Sequence, residues 1–290
     1  MYFETKYMIR TQTSVNVPVN FCDFKNVTLQ DGTVKPALIL QFDIPLWPFS
    51  IIFDAYYSST VSWAGQVRGL NRWKYSMLRN WLNSAGLHWF SKTYSEQASP
   101  EQLQNIDEWN GVYMTLEDSS GFLDFLPDDL VDILQPIKVQ TQAFFDDNNS
   151  FGTDEPDYID GEDVDVTYDK IFIPSLEEMN INAAFTNFPA VGIEGSAWQY
   201  YKNLFNSQSQ FNIQYFDSFQ NKFTNYIGKE DMEYQPSLRG ILTRSANSSN
   251  LTEIWRIVEQ GSYGYINYAS EHGTVKMTCD CVPVPAFAIC

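Results

Sequence analysis

The segment "RWKYSMLRNWLNS", from Arg72 to Ser84, decides the fold because its apolar residues recur at helical spacing. Trp73, Leu78 and Trp81 fall on one side of a helix, and Gly86 follows as a natural stop. Two tryptophans that lie two turns apart more often anchor a helix on a sheet than stack on a ligand. We therefore predict a short amphipathic helix with tryptophans in the core and flanking arginines that reach solvent or pair with acidic residues.

The composition indicates a folded protein with a strongly acidic surface. The 290 residues are 44% hydrophobic and 16% aromatic, far from the composition of a disordered chain. The formal net charge of -18 repels phosphate backbones, so nucleic acid is not expected as a partner. The first residues do not form a secretion signal, and no apolar run approaches the roughly 20 residues that a membrane span needs. We expect a soluble protein with no membrane span.

The cysteines and histidines do not form a pattern typical of an enzyme. Cys279 and Cys281 alternate with polar residues on a predicted strand, so we expect them in the core. Their Cα atoms would be roughly 6.5 to 7 Å apart, beyond easy disulfide reach. His88 and His272 do not occur at a spacing known for nucleophiles or metal ligands. We expect no enzymatic activity and assign no catalytic residues.

Both ends of the chain show strand patterns, and the middle shows two helical ones. The first strands run to about Leu46, and five more follow Arg239. Between them lie the opening helix and a second one marked by Trp198, Tyr201 and Phe205. The economical interpretation is one α+β domain with mixed or antiparallel sheets, two main helices and long loops.

The strand "YDKIFIP" leads into a predicted capped turn. Ser175 stands at the cap position, and Glu178 follows three residues later. This spacing is that of the capping box, in which each side chain bonds the backbone N–H of the other residue. We predict this reciprocal pair.

An acidic segment interrupts this pattern. Residues 146–169 contain ten acidic residues and no basic one, which is typical of a solvated, mobile loop. We predict a loop insertion at residues 144–169 that needs no metal to fold. The EF-hand template fails there because its last ligand position falls on Tyr158. The expectation is no cofactor and no metal, with a loose calcium site around "EPD" (155–157) as the alternative.

Five segments occur in an order that resembles a known family. They are "RWKYSMLRNWLNS", "DKIFIPSLEEM", "GSAWQYY", "LTRSA" and "VPAFAI". The chain is similar to C-type-lectin-like domains of unassigned function found in tailed-phage structural proteins and bacterial surface proteins. The chain departs from the family pattern at two places. Leu242 and Thr243 stand where the family more often has tryptophan before Arg-Ser, and Val284 stands where it has arginine before Pro-Ala-Phe. The resemblance implies a C-type-lectin-like domain at residues 34–290, after an N-terminal β segment at residues 1–33.

The resemblance also implies a function outside metabolism. We expect a virion protein of the phage tail or head, made in the host cytoplasm without a signal peptide. Its expected partners are other virion proteins and a host-surface glycan or protein, and we expect a homo-oligomer. One alternative is a purely structural head-decoration or tail-assembly subunit without a ligand. The other is an enzyme like the formylglycine-generating enzyme, whose fold is similar but whose reactive cysteine pair is not matched by the spacing of Cys279 and Cys281.

The recognition surface is predicted on the turns of the late strands, in "RSANSSNLTEIW" and "EQGSYGYINYASEHG". Aromatic faces beside hydrogen-bonding groups bind a sugar or a protein edge at low entropic cost. The alternative is that these are ordinary polar turns, with some tyrosines under the sheet. The candidate ligand-binding residues are Arg244, Asn247, Asn250, Tyr263, Tyr265, Asn267, Tyr268 and His272.

Overall fold

In a computed structural model of the chain, strands outnumber helices and most strand pairs are antiparallel. This agrees with the predicted α+β class. The helices of the described residues include none that is long and apolar enough to cross a membrane. The structure describes residues 2–8, 12–42, 73–86, 120–142, 164–181, 192–204, 240–246, 253–258, 263–267, 281–282 and 284–290.

The largest sheet brings the two ends of the chain together. Its strands are β1 (Tyr2–Met8), β2 (Gln12–Thr28), β3 (Val34–Phe42), β11 (Ala286–Ile289) and β6 (Ile171–Phe172), in that spatial order. All four pairings are antiparallel. The last strand therefore lies between β3 and β6. The predicted boundary at residue 33 falls in the turn that joins β2 to β3.

A second sheet is built from the late part of the chain. Its order is β10 (Cys281–Val282), β7 (Gly240–Ala246), β8 (Glu253–Val258) and β9 (Tyr263–Asn267). The pair β10 and β7 is parallel, and the other pairs are antiparallel. Three of the five strands predicted after Arg239 are thus confirmed as β7, β8 and β9.

The end of the acidic segment is a strand and not part of a mobile loop. β4 (Ile137–Gln142) pairs with β5 (Val164–Asp169) in a two-stranded sheet. Asp165 and Asp169 are buried on β5, so the predicted loop is wrong for these last six residues. The physical reason is that both carboxylates have cationic partners, which removes the repulsion that favours a solvated loop. Residues 143–163 lie outside the described part.

Short helices cover the large sheet, and the predicted opening helix is confirmed. The side-chain oxygen of Ser76 accepts a hydrogen bond from the Arg79 N–H, which caps the helix N-terminus. Trp73 and Trp81 are buried, as their spacing predicted. The helices are the 3₁₀ turns η1 (Trp73–Tyr75) and η2 (Phe122–Phe125), and α1 (Met77–Leu82), α2 (Asp128–Ile133) and α3 (Gln199–Leu204).

One face of the large sheet packs against α1 and η2. The ring of Phe42 lies 5.2 Å from that of Phe287 and 6.4 Å from that of Phe122, measured between centroids. The Trp81 ring lies 5.1 Å from Phe122 in an edge arrangement. Aromatic pairs at these distances stabilise a core beyond the area they bury.

The opposite face of this sheet packs against the start of α3. Trp198 and Tyr201 are buried, and the Trp198 ring lies 6.3 Å from Phe172 on β6. The Tyr201 hydroxyl donates to Gln41 Oε1 at 2.5 Å, which satisfies a polar side chain inside the core. The second predicted amphipathic helix is confirmed, although Phe205 lies outside the described residues.

Candidate functional site

Arg244 is the centre of a buried polar cluster. Its side chain, on β7, is 1% exposed. One guanidinium nitrogen, Nη1, donates to Glu178 Oε2 and to the carbonyl oxygen of Ile173, each at 2.6 Å. Nη2 donates to the carbonyl oxygen of Glu194 at 2.9 Å. We name Arg244, Glu178, Glu194, Ser175 and Ser245 the Arg244 cluster.

This position corrects the prediction that Arg244 contacts a ligand from an exposed turn. β7 continues to Ala246, so the Arg-Ser pair lies within a strand. Thr243 and Ser245, the sequence neighbours of Arg244, are also buried. A guanidinium whose donors are taken up by internal acceptors does not reach a surface ligand. The motif "LTRSA" therefore serves the architecture.

The predicted capping box supplies the counter-charge of Arg244. Glu178 N–H donates to Ser175 Oγ at 3.1 Å, and Ser175 N–H donates to Glu178 Oε2 at 3.1 Å. Both reciprocal bonds of the prediction are thus confirmed. The oxygen that accepts from Ser175 also accepts from Arg244, while Oε1 lies 3.9 Å from the Lys25 ammonium nitrogen. The cap and the buried ion pair are one unit.

Glu194 is a cluster member that the sequence reasoning missed. It is buried, its Oε1 accepts from the Gln142 N–H at 3.2 Å, and its Oε2 accepts from the Ser245 hydroxyl. Burial raises the pKa of Glu194 to about 7, against the opposing effects of the Arg244 charge and the Ser245 hydrogen bond. The Glu177 carboxylate holds the backbone of this segment by accepting from the Gly192 and Glu194 N–H groups. The sequence offers no signal for it beyond one acidic residue near "GSAWQYY".

A second buried carboxylate ties the opening helix to β5. Asp169 Oδ1 accepts from Arg79 Nε at 2.7 Å, and its Oδ2 accepts from Trp73 Nε1 at 2.9 Å and from Thr167 Oγ1 at 2.7 Å. Lys74 lies 3.8 Å from the buried Asp165. These contacts confirm that the arginine in the helix pairs with an acidic residue. Trp73, Lys74 and Arg79 all hold the opening segment on β5.

Asn83 joins the end of α1 to the bend between β5 and β6. Its Nδ2 donates to the carbonyl oxygens of Ile171 at 2.8 Å and Arg79 at 3.0 Å. Its Oδ1 accepts from the N–H groups of Lys170 at 2.7 Å and Ile171 at 3.1 Å. The bend at Lys170 is where the chain leaves the β4–β5 sheet and enters the large one. The Asn of "WLNS" is therefore a bridge between helix and sheet.

Three of the remaining predicted site residues lie on β9 of the second sheet. In the register of β8 and β9, Tyr263, Tyr265 and Asn267 stand opposite Ile257, Trp255 and Glu253. Asn247, Asn250, Tyr268 and His272 lie outside the described residues, as does Cys279.

The chemistry of the described clusters is that of a scaffold. Ser245 and Glu194 pair a hydroxyl with a carboxyl that titrates near neutral pH, but both side chains are buried and a substrate does not reach them. In the part of the chain that the structure describes, no three or more His, Cys, Asp or Glu side chains are grouped to hold a metal ion.

A family model matches residues 50–289, and its description is "Domain of unknown function (DUF6273)". The matched span includes all five motif segments and excludes β1, β2 and β3. No curated protein and no solved structure matches the chain significantly.

Proposed function

We propose a function from the residues of the chain itself, because the chain belongs to the DUF6273 family, whose function is unknown. It is a non-enzymatic virion protein of a phage tail or head with a lectin-like module. The module binds a host-surface glycan or protein, or braces a neighbouring subunit.

One observation carries this proposal: charged residues of different motif segments pair with one another inside the protein. Arg244 pairs with Glu178, and Arg79 pairs with Asp169. The side-chain amide of Asn83 forms hydrogen bonds with the backbone N–H and carbonyl groups of Ile171. Motifs used in this way supply a rigid frame, and binding residues are commonly carried on segments that such a frame positions.

The C-type-lectin-like fold is part of the proposal. It is supported by the sheet in which the first and last strands lie close together, with β11 beside β3. It is also supported by the first helix packed against β6 and by the separate late sheet. The five motif segments that carry the resemblance occur in this arrangement in their expected order.

The proposed recognition surface is formed by β9 and by the segments that join the strands of the second sheet. These segments are rich in Tyr, Asn and Ser, which provide aromatic contact area and adaptable hydrogen bonds. Arg244, which the sequence placed among the candidate residues, is excluded from this surface because it is buried. The residues retained are Asn247, Asn250, Tyr263, Tyr265, Asn267, Tyr268 and His272.

A glycan array and a panel of bacterial cells test the proposal with the purified chain. We expect saturable binding that falls at least about tenfold in a Tyr265→Ser/Tyr268→Ser variant, which corresponds to about 1.4 kcal/mol or more. The melting temperature should shift little. Tyr168→Ser, in the β4–β5 sheet, is the matched control and should bind like the wild type.

Two results contradict host-surface binding by these residues in different ways. Absence of saturable binding on both the array and the cells favours a purely structural head or tail subunit. A large loss of stability in the double variant with unchanged residual binding means that the tyrosines belong to the core and the binding site lies elsewhere.

A further inference from the structure

Among the residues that the structure describes, the large exposed apolar side chains are concentrated on one hairpin. Phe21 is 54% exposed, Phe24 is 62% exposed and Val34 is 60% exposed. All three lie on β2 and β3, and Leu38 between them is half-buried. We name Phe21, Phe24, Val34 and Leu38 the hairpin patch.

A β-bulge brings the two phenylalanines to the same face. Residues three apart on a regular strand point to opposite faces, but the register shifts between Phe21 and Asp23. As a result Phe21 pairs with Leu40 and Phe24 pairs with Leu38, two residues that share a face of β3. The residue in the bulge, Cys22, is fully buried.

The hairpin patch lies on a face of the large sheet that is buried in the core further along β3. Further along β3, Leu40 is 3% exposed and Phe42 is 0% exposed against the Phe122 ring. The face is therefore covered at one end and open towards the β2–β3 turn. The exposed halves of the two phenylalanines amount to roughly 200 Å², since each such side chain presents about 150 to 250 Å². With Val34 the patch reaches the size of the largest apolar patch on a typical monomer, which is often functional.

The charge of the hairpin differs from that of the rest of the chain. Residues 19–42 contain two acidic residues, Asp23 and Asp31, and two basic ones, Lys25 and Lys35, so their net charge is zero. The whole chain carries -18. Two copies of such a chain repel each other over an average surface, but not across this hairpin. A basic partner would instead favour an acidic surface.

We infer that the hairpin patch is the contact between two copies of this chain. In a two-fold dimer the same patch serves both subunits, so the phenylalanines of each copy cover those of the other. A stable interface buries about 800 Å² per partner, with an apolar centre and a polar rim. The patch supplies the centre, and the neutral polar residues of the hairpin supply the rim. The contact lies on β2 and β3, which precede the span that the family model matches.

Sedimentation velocity over a range of protein concentrations at about 0.15 M salt tests the inference. We expect the wild type to form a dimer and Phe21→Ser/Phe24→Ser to raise its dissociation constant at least about 100-fold, which corresponds to about 2.7 kcal/mol, because buried aromatic anchors carry much of the energy of an interface. Ile133→Ser is the matched control, because Ile133 is 47% exposed on α2. It should dimerise like the wild type.

Thermal melting establishes that each variant is folded. If the double variant does not fold, Val34→Lys tests the same surface from β3, where a buried charge at the contact should also produce monomers. A wild type that is monomeric at every concentration overturns the inference. So does an assembly that keeps its dissociation constant in the hairpin variants, or one that Ile133→Ser weakens equally.

Discussion

Replacing Arg244 with Met removes the charge at the centre of the buried cluster and keeps most of the side-chain length. The change leaves Glu178 without its 2.6 Å partner and leaves the carbonyl groups of Ile173 and Glu194 without their Arg244 donors. Although burial opposes it, the Glu178 carboxylate raises the pKa of Arg244, so the native side chain is a cation throughout the accessible pH range.

The expected loss can be worked out from these contacts. Breaking a buried ion pair by removing one partner costs about 3 to 5 kcal/mol, and an unsatisfied buried acceptor costs about 1 to 3 kcal/mol. Lys25, at 3.9 Å from Glu178, offsets part of this because it can still neutralise the carboxylate. We predict that Arg244→Met lowers the free energy of unfolding by about 4 kcal/mol, a large share of the roughly 5 to 15 kcal/mol of a typical domain.

Urea unfolding monitored by tryptophan fluorescence measures this loss. The control is Lys202→Met on the exposed side of α3, which should change the free energy of unfolding by less than about 0.5 kcal/mol. Arg244→Met/Glu178→Leu should be less destabilised than the sum of its two single variants, because it removes both buried charges. A loss below about 1 kcal/mol for Arg244→Met, or additive single effects, would refute the reasoning.

Four further changes test other parts of the structure. Trp81→Ala should cost about 3 to 5 kcal/mol in a thermal melt, because it leaves a cavity beside Phe122; an unchanged melting temperature with lost ligand binding would make Trp81 a site residue. Asn83→Leu should cost about 2 kcal/mol or more by urea unfolding, because backbone groups of β6 lose their partner; a neutral result would contradict its bridging role. Burial raises the pKa of Glu194 from 4.5 to about 7, so its stabilising contribution is complete below pH 4.5 and is lost as pH rises through 7, by about 3 kcal/mol. Glu194→Gln should therefore be more stable than the wild type at pH 8 and should flatten this decline, and unfolding curves at pH 5 and pH 8 measure both. Calcium should not raise the melting temperature, because Asp165 and Asp169 are already paired with cations; a rise of several degrees reversed by a chelator would indicate a site around "EPD".

The helix, the capped turn and the late strands could be predicted because local physics determines them. Trp73 and Trp81 at helical spacing require a buried face, and Ser175 three residues before Glu178 is sufficient for a capping box. The predictions failed where a residue takes its role from a distant partner. Arg244 contacts residues 50 and 66 positions away, and no local pattern distinguishes a buried arginine from one in a turn.

The end of the acidic segment also could not be predicted from local sequence, because its structure depends on a distant partner. Ten like charges favour a solvated loop, but the final Asp169 meets Arg79, 90 positions earlier in the chain. Pairing between distant charges offsets the repulsion that the local sequence predicts. Glu194 could not be found either, because its raised pKa comes from burial in the folded chain.

We propose that the motif segments form one internal frame and that binding uses other parts of the chain. Native-state amide hydrogen exchange followed by mass spectrometry tests it most directly, because exchange reports how much local unfolding each segment needs. We expect peptides covering residues 77–84, 171–178, 240–246 and 286–289 to be the most protected and to exchange together, near the global free energy of unfolding. Rapid exchange of residues 240–246 around Arg244, while the other three peptides stay protected, would contradict it.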